Sequence, residues 1–107
     1  MAEEKNIFIH HVFFWLKNPE SKEDLSALIE GLRKLSSART IRKFHIGLPA
    51  STRRNVIESS YSVSWFLVFD TIDDEESYQT DPIHLHFVET CSKLWNKVVV
   101  YDTVDVR

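Results

Sequence analysis

Ten residues near the start of the chain, Ile7 to Leu16, read IFIHHVFFWL. The run is β-branched and aromatic and too short for a helix, so it reads as a strand. Successive strand side chains point to opposite faces. Phe8, His10, Val12, Phe14 and Leu16 therefore share one side, and Ile7, Ile9, His11, Phe13 and Trp15 the other. Both sides are apolar. A sheet built on this strand needs cover on both faces, whereas a sheet with one wet face shows polar residues there. Val98 to Tyr101, running towards Val104, repeats the pattern, with Val98 and Val100 on one side and Val99 and Tyr101 on the other.

Between these strands the chain alternates helical and extended signals. Asn18-Pro19 breaks the first strand, and Ser21-Lys22-Glu23-Asp24 offers a hydroxyl N-cap with acids in the first turn. Leu25, Leu28, Ile29, Leu32 and Leu35 then recur at helical spacing, while Glu30, Arg33 and Lys34 face away. Thr40 to Ile46 reads as a second strand closed by Gly47, and Leu48 to Ser60 as a surface loop longer than usual. Tyr61 to Phe69 alternates, which puts Tyr61, Val63, Trp65, Leu67 and Phe69 on one face of a third strand. Ile72 to Gln79 is an acidic helical stretch that breaks near Thr80, where Asp81-Pro82 supplies a fresh N-cap with proline at the first helical position. From Ile83 the helix resumes with Phe87, Val88, Cys91, Leu94 and Trp95 on an apolar arc of roughly 140°.

This β-α-β-β-α-β order implies an α+β, ferredoxin-like protomer: a four-stranded antiparallel sheet with both helices on one face. The other face then stays bare. An exposed apolar surface of several hundred Å² costs ~25 cal/mol per Å², and the simplest cover is an identical sheet from a twofold-related subunit, which closes a dimeric α/β barrel. With 107 residues, of which 43% are hydrophobic, the chain builds one core and is expected to form a single domain, 1–107.

Composition narrows the partners. One cysteine, Cys91, excludes an internal disulfide and fits a reducing, cytoplasmic setting. Met1 to Lys5 lacks the basic and apolar segments of a secretory leader, and no run approaches the ~20 apolar residues of a membrane span. A net charge of −3 argues against a general nucleic-acid binder. The charge is uneven, however. Residues 33–54 carry seven basic groups and no acidic one, and the bias reverses over 66–92. Such a dipole could draw an anionic ligand, although a solvated surface is the commoner meaning of a charge run.

Three side chains stand out as chemical candidates. His84 falls inside the apolar arc of the last helix, whereas His86 and Glu89 fall outside it. A buried imidazole needs a partner or a use, and a core histidine bonded to backbone is the ordinary case. Tyr78, just before the Asp81-Pro82 break, reaches the same end of the sheet and can pair with it, or can simply plug the gap between helix and sheet. His10 joins them from the first strand. A tyrosine and a histidine together can exchange protons with a carbonyl compound. Metal binding is not expected, because His10-His11 and His84-x-His86 diverge. Cys91 reads as packing. With Gly31 and Gly47 as the only glycines, phosphate cradles are excluded, and no nucleophile-elbow or zinc motif is present. No cofactor is expected.

Ile9 to Lys17, the Phe44-His45-Ile46-Gly47 strand end, the Tyr78-Gln79-Thr80-Asp81-Pro82-Ile83-His84-Leu85-His86-Phe87-Val88 segment and the closing Leu94-Trp95 to Tyr101-Asp102 resemble the stress-responsive dimeric α/β-barrel (Dabb) family over nearly the whole chain. The most specific element is Tyr-x-x-(His/Asp)-Pro-x-His followed by Phe-Val. The resemblance implies a ferredoxin-like protomer, a homodimer joined through its sheets, and no single activity. One branch, the plant olivetolic acid cyclase, closes a polyketide ring with a tyrosine and a histidine that match Tyr78 and His84. A third pocket histidine matches His10, and its pocket wall corresponds in type to Phe44, Trp65, Leu67, Trp95 and Val98. This chain departs from that branch at Asp81, where the enzyme has histidine, and at Trp65, which is bulkier than its counterpart.

Two functions follow. The first is a stress-responsive protein of unassigned activity, a protective or ligand-binding homodimer whose cavity takes a small apolar or anionic molecule through His10, Phe44, Trp65 and Trp95. The second is a cofactor-independent lyase or cyclase with Tyr78 and His84 as the catalytic pair. An oxygen-using or haem-degrading role has no motif in the sequence. A cavity of ~300 Å³ or more at Tyr78 and His84 would favour chemistry, and a solid pack would favour the binding module.

Overall fold

The computed structural model describes residues 7–106. Met1 to Asn6 and Arg107 lie outside them, so the expectation about a leader, made on Met1 to Lys5, and the ends of the single domain fall outside as well. Four strands and three helices follow in the order β1 (Phe8–Leu16), α1 (Lys22–Leu35), β2 (Lys43–Gly47), β3 (Val63–Phe69), α2 (Ile72–Gln79), α3 (Pro82–Cys91) and β4 (Trp95–Val104). The strands form one antiparallel sheet in the order β2-β3-β1-β4. Two split β-α-β crossovers interlock to give the ferredoxin-like arrangement.

Each helix starts where its cap dictates. The Ser21 hydroxyl accepts from the Asp24 N–H at 3.1 Å, Thr71 does the same for Asp74 at 3.1 Å, and the Asp81 carboxylate accepts from the Ile83 N–H at 3.0 Å. Asp81-Pro82 thus divides the second helical stretch into α2 and α3. Leu28, Leu32 and Leu35 of α1 are fully buried against Phe8, Val12, Phe14 and Leu16 of β1 and Val63, Trp65, Leu67 and Phe69 of β3. Gly31 lets α1 lie hard against α3: a Cβ there would sit 2.7 Å from the Cys91 sulfur. Cys91 is a buried free thiol packed in that contact.

The register fixes which side chains share a face. Phe8, His10, Val12 and Phe14 lie opposite Phe69, Leu67, Trp65 and Val63 of β3, and opposite Val104, Asp102, Val100 and Val98 of β4. All of these belong to the helix side. The opposite face carries His11, Phe13 and Trp15 with Phe66, Val99 and Tyr101. Its rings touch one another: His11 and Phe13 at 4.3 Å between centroids, His11 and Phe66 at 5.3 Å, Phe13 and Tyr61 at 5.0 Å. No helix among the described residues covers this face, and Tyr101 is 62% exposed.

Three local expectations change. The second strand begins at Lys43, because Ala38 to Ile41 closes a turn in which the Ile41 N–H donates to the Ala38 carbonyl at 3.1 Å. The third strand begins at Val63, and Tyr61 turns to the open face against Phe13 and Trp15. Trp95 belongs to β4, since α3 ends at Cys91 and a short 3-10 turn over Ser92–Leu94 follows. Leu16 pairs with Trp95 and Trp15 with Lys97, so Asn96 is the extra residue of a bulge that returns Trp95 to the helix side. No helix among the described residues is long and apolar enough to cross a membrane.

Candidate functional site

Three elements bring the candidate residues together. Strand alternation points His10 from the centre of β1 towards the helices. Tyr78 closes the last turn of α2, and the chain then reverses: the Asp81 N–H donates to the Tyr78 carbonyl at 3.1 Å, and the His84 N–H to the Asp81 carbonyl at 2.9 Å. His84 therefore sits in the first turn of α3 with its ring edge-on to Tyr78, centroids 4.6 Å apart. The His10 ring lies 6.3 Å from Tyr78 on the other side.

These rings line one cavity of about 160 Å³, together with Val12, Phe14, Trp65, Gln79, Phe87, Val88, Trp95, Val98 and Val100. Its volume is about half the ~300 Å³ at which ligand pockets usually begin. The space is neither the roomy pocket that would favour chemistry nor a solid core. Of the residues singled out in the sequence, Tyr78, His84, His10, Trp65 and Trp95 meet here. Phe44 does not line the cavity: it lies across from Leu67 on edge strand β2 and is 51% exposed.

Two carboxylates complete the site that the sequence did not single out. His10 Nδ1 lies 2.7 Å from Asp102 Oδ1 and 3.9 Å from Glu75 Oε2. Glu75 is itself buried and accepts from Gln79 Nε2 at 2.6 Å. Pairing of β1 with β4 puts Asp102 directly across from His10. That register was the available signal for Asp102, and the helical step from Glu75 to Tyr78 and Gln79 was the signal for Glu75. Asp102 thus holds the His10 ring by Nδ1 and fixes its orientation towards the helices.

His84 is different. Its Nδ1 is buried and makes no hydrogen bond of ordinary geometry, although the Gln79 backbone carbonyl stands near the ring. Burial lowers its pKa from 6.5 and His10 adds to the fall, while the Gln79 backbone, Glu75 and Asp81 oppose it. The ring is therefore neutral near pH 7. Burial drives the Tyr78 phenol far above its usual pKa of 10, with Glu75 and Asp81 contributing, so it remains a proton donor. A phenol that keeps its proton beside an imidazole that lacks one can hydrogen-bond a carbonyl oxygen and accept a proton from the adjacent carbon. None of the residues lining the cavity is Lys or Arg.

Solved structures resemble this chain throughout. A Dabb family protein with a ferredoxin-like fold from Mesorhizobium loti superposes with a TM-score of 0.79 at 20% identity, covering 96% of this chain and 100% of that one. A dimeric ferredoxin-like protein of unknown function from Thermobifida fusca gives 0.75 at 15% identity, covering 96% and 94%. The hydroxynitrile lyase of Passiflora edulis gives 0.79 at 18% identity, covering 96% of each chain. No curated protein matches by sequence. The model of the Stress responsive A/B Barrel Domain matches residues 8–105, from the first strand to the end of the last, and the chain belongs to that family.

Proposed function

We propose that the chain works as a homodimer joined through its open sheet faces, and that each protomer binds a compact, uncharged carbonyl compound between Tyr78 and His84 in a protective, cytoplasmic role. The observation that carries the ligand reading is the buried Nδ1 of His84, without a hydrogen bond of ordinary geometry, beside a phenol that keeps its proton. A buried polar atom left unpaired costs ~1–3 kcal/mol, and a bound hydroxyl or carbonyl compound offers relief. His10, Trp65 and Trp95 supply the remaining contacts. Phe44, half-exposed on the edge strand, is left out of the site. The lining supports an uncharged ligand over an anionic one, because it offers no cation and Glu75 and Asp102 stand close by. The basic bias of residues 33–54 is partly spent elsewhere, on Arg33 with Glu30 and Arg42 with Asp70.

The aromatic open face supports the dimer, as do the relatives described as dimeric from Thermobifida fusca and Bacteroides fragilis. A larger hollow of about 330 Å³ between Phe13, Trp15, Tyr61 and Tyr101 lies on that face. Its volume exceeds that of the site, but it belongs to the surface proposed to meet a second copy.

Titrating the protein with cyclopentanone while following the His84 and His10 imidazole resonances tests the ligand reading. Saturable shifts of the His84 resonances and of those of His10 are expected, the His10 shifts being lost in His84→Ala, and resonances that stay fixed in wild type through molar-range ketone refute it. The Tyr78–His84 contact also favours a second reading, a cofactor-independent lyase or cyclase. Deuterium exchange at the ketone α-carbon in D₂O separates the two. Exchange above the buffer rate that is lost in Tyr78→Phe and His84→Ala supports catalysis, and exchange at the buffer rate leaves binding alone.

A further inference from the structure

The cavity has an open end and a closed end. Val98 and Val100 of β4 are each 44% exposed and Val88 of α3 is 40% exposed, so the mouth lies between β4 and α3. Strand order then sets the depth. β1 supplies the floor through His10, Val12 and Phe14, and β3, on the far side of β1 from β4, supplies the back wall through Trp65.

That wall is held in place. Trp65 is 2% exposed, with its ring centroid 6.3 Å from Tyr78 and 6.5 Å from Phe87. Its indole N–H donates to the Ser36 hydroxyl at 3.0 Å, and that hydroxyl donates to the Leu32 carbonyl at 2.7 Å. Ser36 caps the end of α1 and is itself buried. The indole is thereby tied to the helix layer and cannot swing aside without leaving a buried N–H unpaired.

We infer that Trp65, pinned by Ser36, is the length gauge of the cavity and restricts the ligand to short-chain carbonyl compounds. A carbonyl oxygen held at Tyr78 and His84 leaves its chain two courses. Turned inward, the chain stops at the indole. Turned outward, it passes the half-exposed valines, where additional methylenes stay wet. Affinity therefore rises with chain length only until the inner space is full, after which it levels off. The inference rests on the ligand reading above and adds the residue that sets ligand size.

The test uses linear methyl ketones from 2-butanone to 2-nonanone, titrated into the full chain with the dissociation constant of each measured by imidazole NMR. Wild type is expected to gain about fourfold per methylene while the chain is buried and then to reach a plateau within the series. In Trp65→Leu the plateau moves to longer ketones. Trp65→Phe gives a smaller move in the same direction and serves if the leucine variant fails to fold. A plateau at the wild-type length in a variant that melts cooperatively overturns the gauge, as does a wild-type affinity that climbs through 2-nonanone. If wild type binds no ketone of any length, the ligand reading itself fails and the gauge fails with it.

Discussion

His10 and His11 are neighbours in sequence and face opposite sides of the same strand. His10 meets the helices: it is buried, bonded to Asp102 and flanked by Glu75. His11 meets a layer of rings, Phe13 at 4.3 Å and Phe66 at 5.3 Å, with no helix of the described residues above it. The sheet therefore has one face finished by its own helices and one finished only by something else. The first collects paired polar groups around a small cavity. The second is an aromatic and aliphatic centre, with Lys43, His45, Lys97 and Thr103 towards its edges. A face meant for water would carry polar side chains at its centre, where this one carries His11, Phe13, Phe66 and Tyr101. A centre of packed rings with a polar margin suits another copy of itself.

The strongest way to break this comparison is to put a charge on the open face. Phe13 lies among His11, Tyr61 and Tyr101. Burying an unpaired carboxylate there costs several kcal/mol, so Phe13→Asp should weaken the proposed dimer by at least ~10³-fold. Analytical ultracentrifugation reads the loss directly. A substitution on the finished face acts otherwise. Leu32→Ala empties a fully buried site and should lower unfolding stability by about 3 kcal/mol in urea melts, with little change in subunit association. The two variants thus separate what each face does.

The fold was legible because its signals are local and agree with one another. Ser21, Asp81 and Pro82 fixed helix starts, and the two-sided strand from Ile7 to Leu16 fixed the need for a second layer. The structure adds Thr71 as the cap of α2. What escaped was set at a distance. Trp95 satisfies a helical period as well as a strand, and only the bulge at Asn96 decides that it belongs to β4. Tyr61 continues the alternation of β3 in sequence, yet the loop before Val63 turns it to Phe13 and Trp15. The site was half visible. His10, Tyr78 and His84 are unusual enough to notice, but Asp102 and Glu75 are ordinary acids until pairing and helix packing bring them to His10.

Smaller changes sharpen the contrast between the two histidines. Asp102→Asn removes the charge behind His10 while keeping the shape. Asp102 is nearly half exposed, so the expected cost is modest, ~1 kcal/mol in ketone binding, or about fivefold in the dissociation constant. An unchanged affinity would mean that His10 does not act on the ligand. The smallest effect expected is in pH dependence, and it draws on both faces. Burial lowers the pKa of His84, and burial together with the His45 charge lowers that of His11, each from 6.5. The unfolded chain therefore takes up protons first as pH falls. Stability is full above pH 6.5 and declines from there towards the lowered folded values. Urea melts across that window should show the slope, with His84→Ala and His11→Ala each removing part of it.

Sedimentation equilibrium of the wild-type chain at micromolar and nanomolar concentrations bears most directly on the claim that a second copy finishes the open face. One chain weighs 12.6 kDa, so a folded species of twice that mass, about 25 kDa, is expected at both. A well-folded species of 12.6 kDa that persists at micromolar concentration would contradict it.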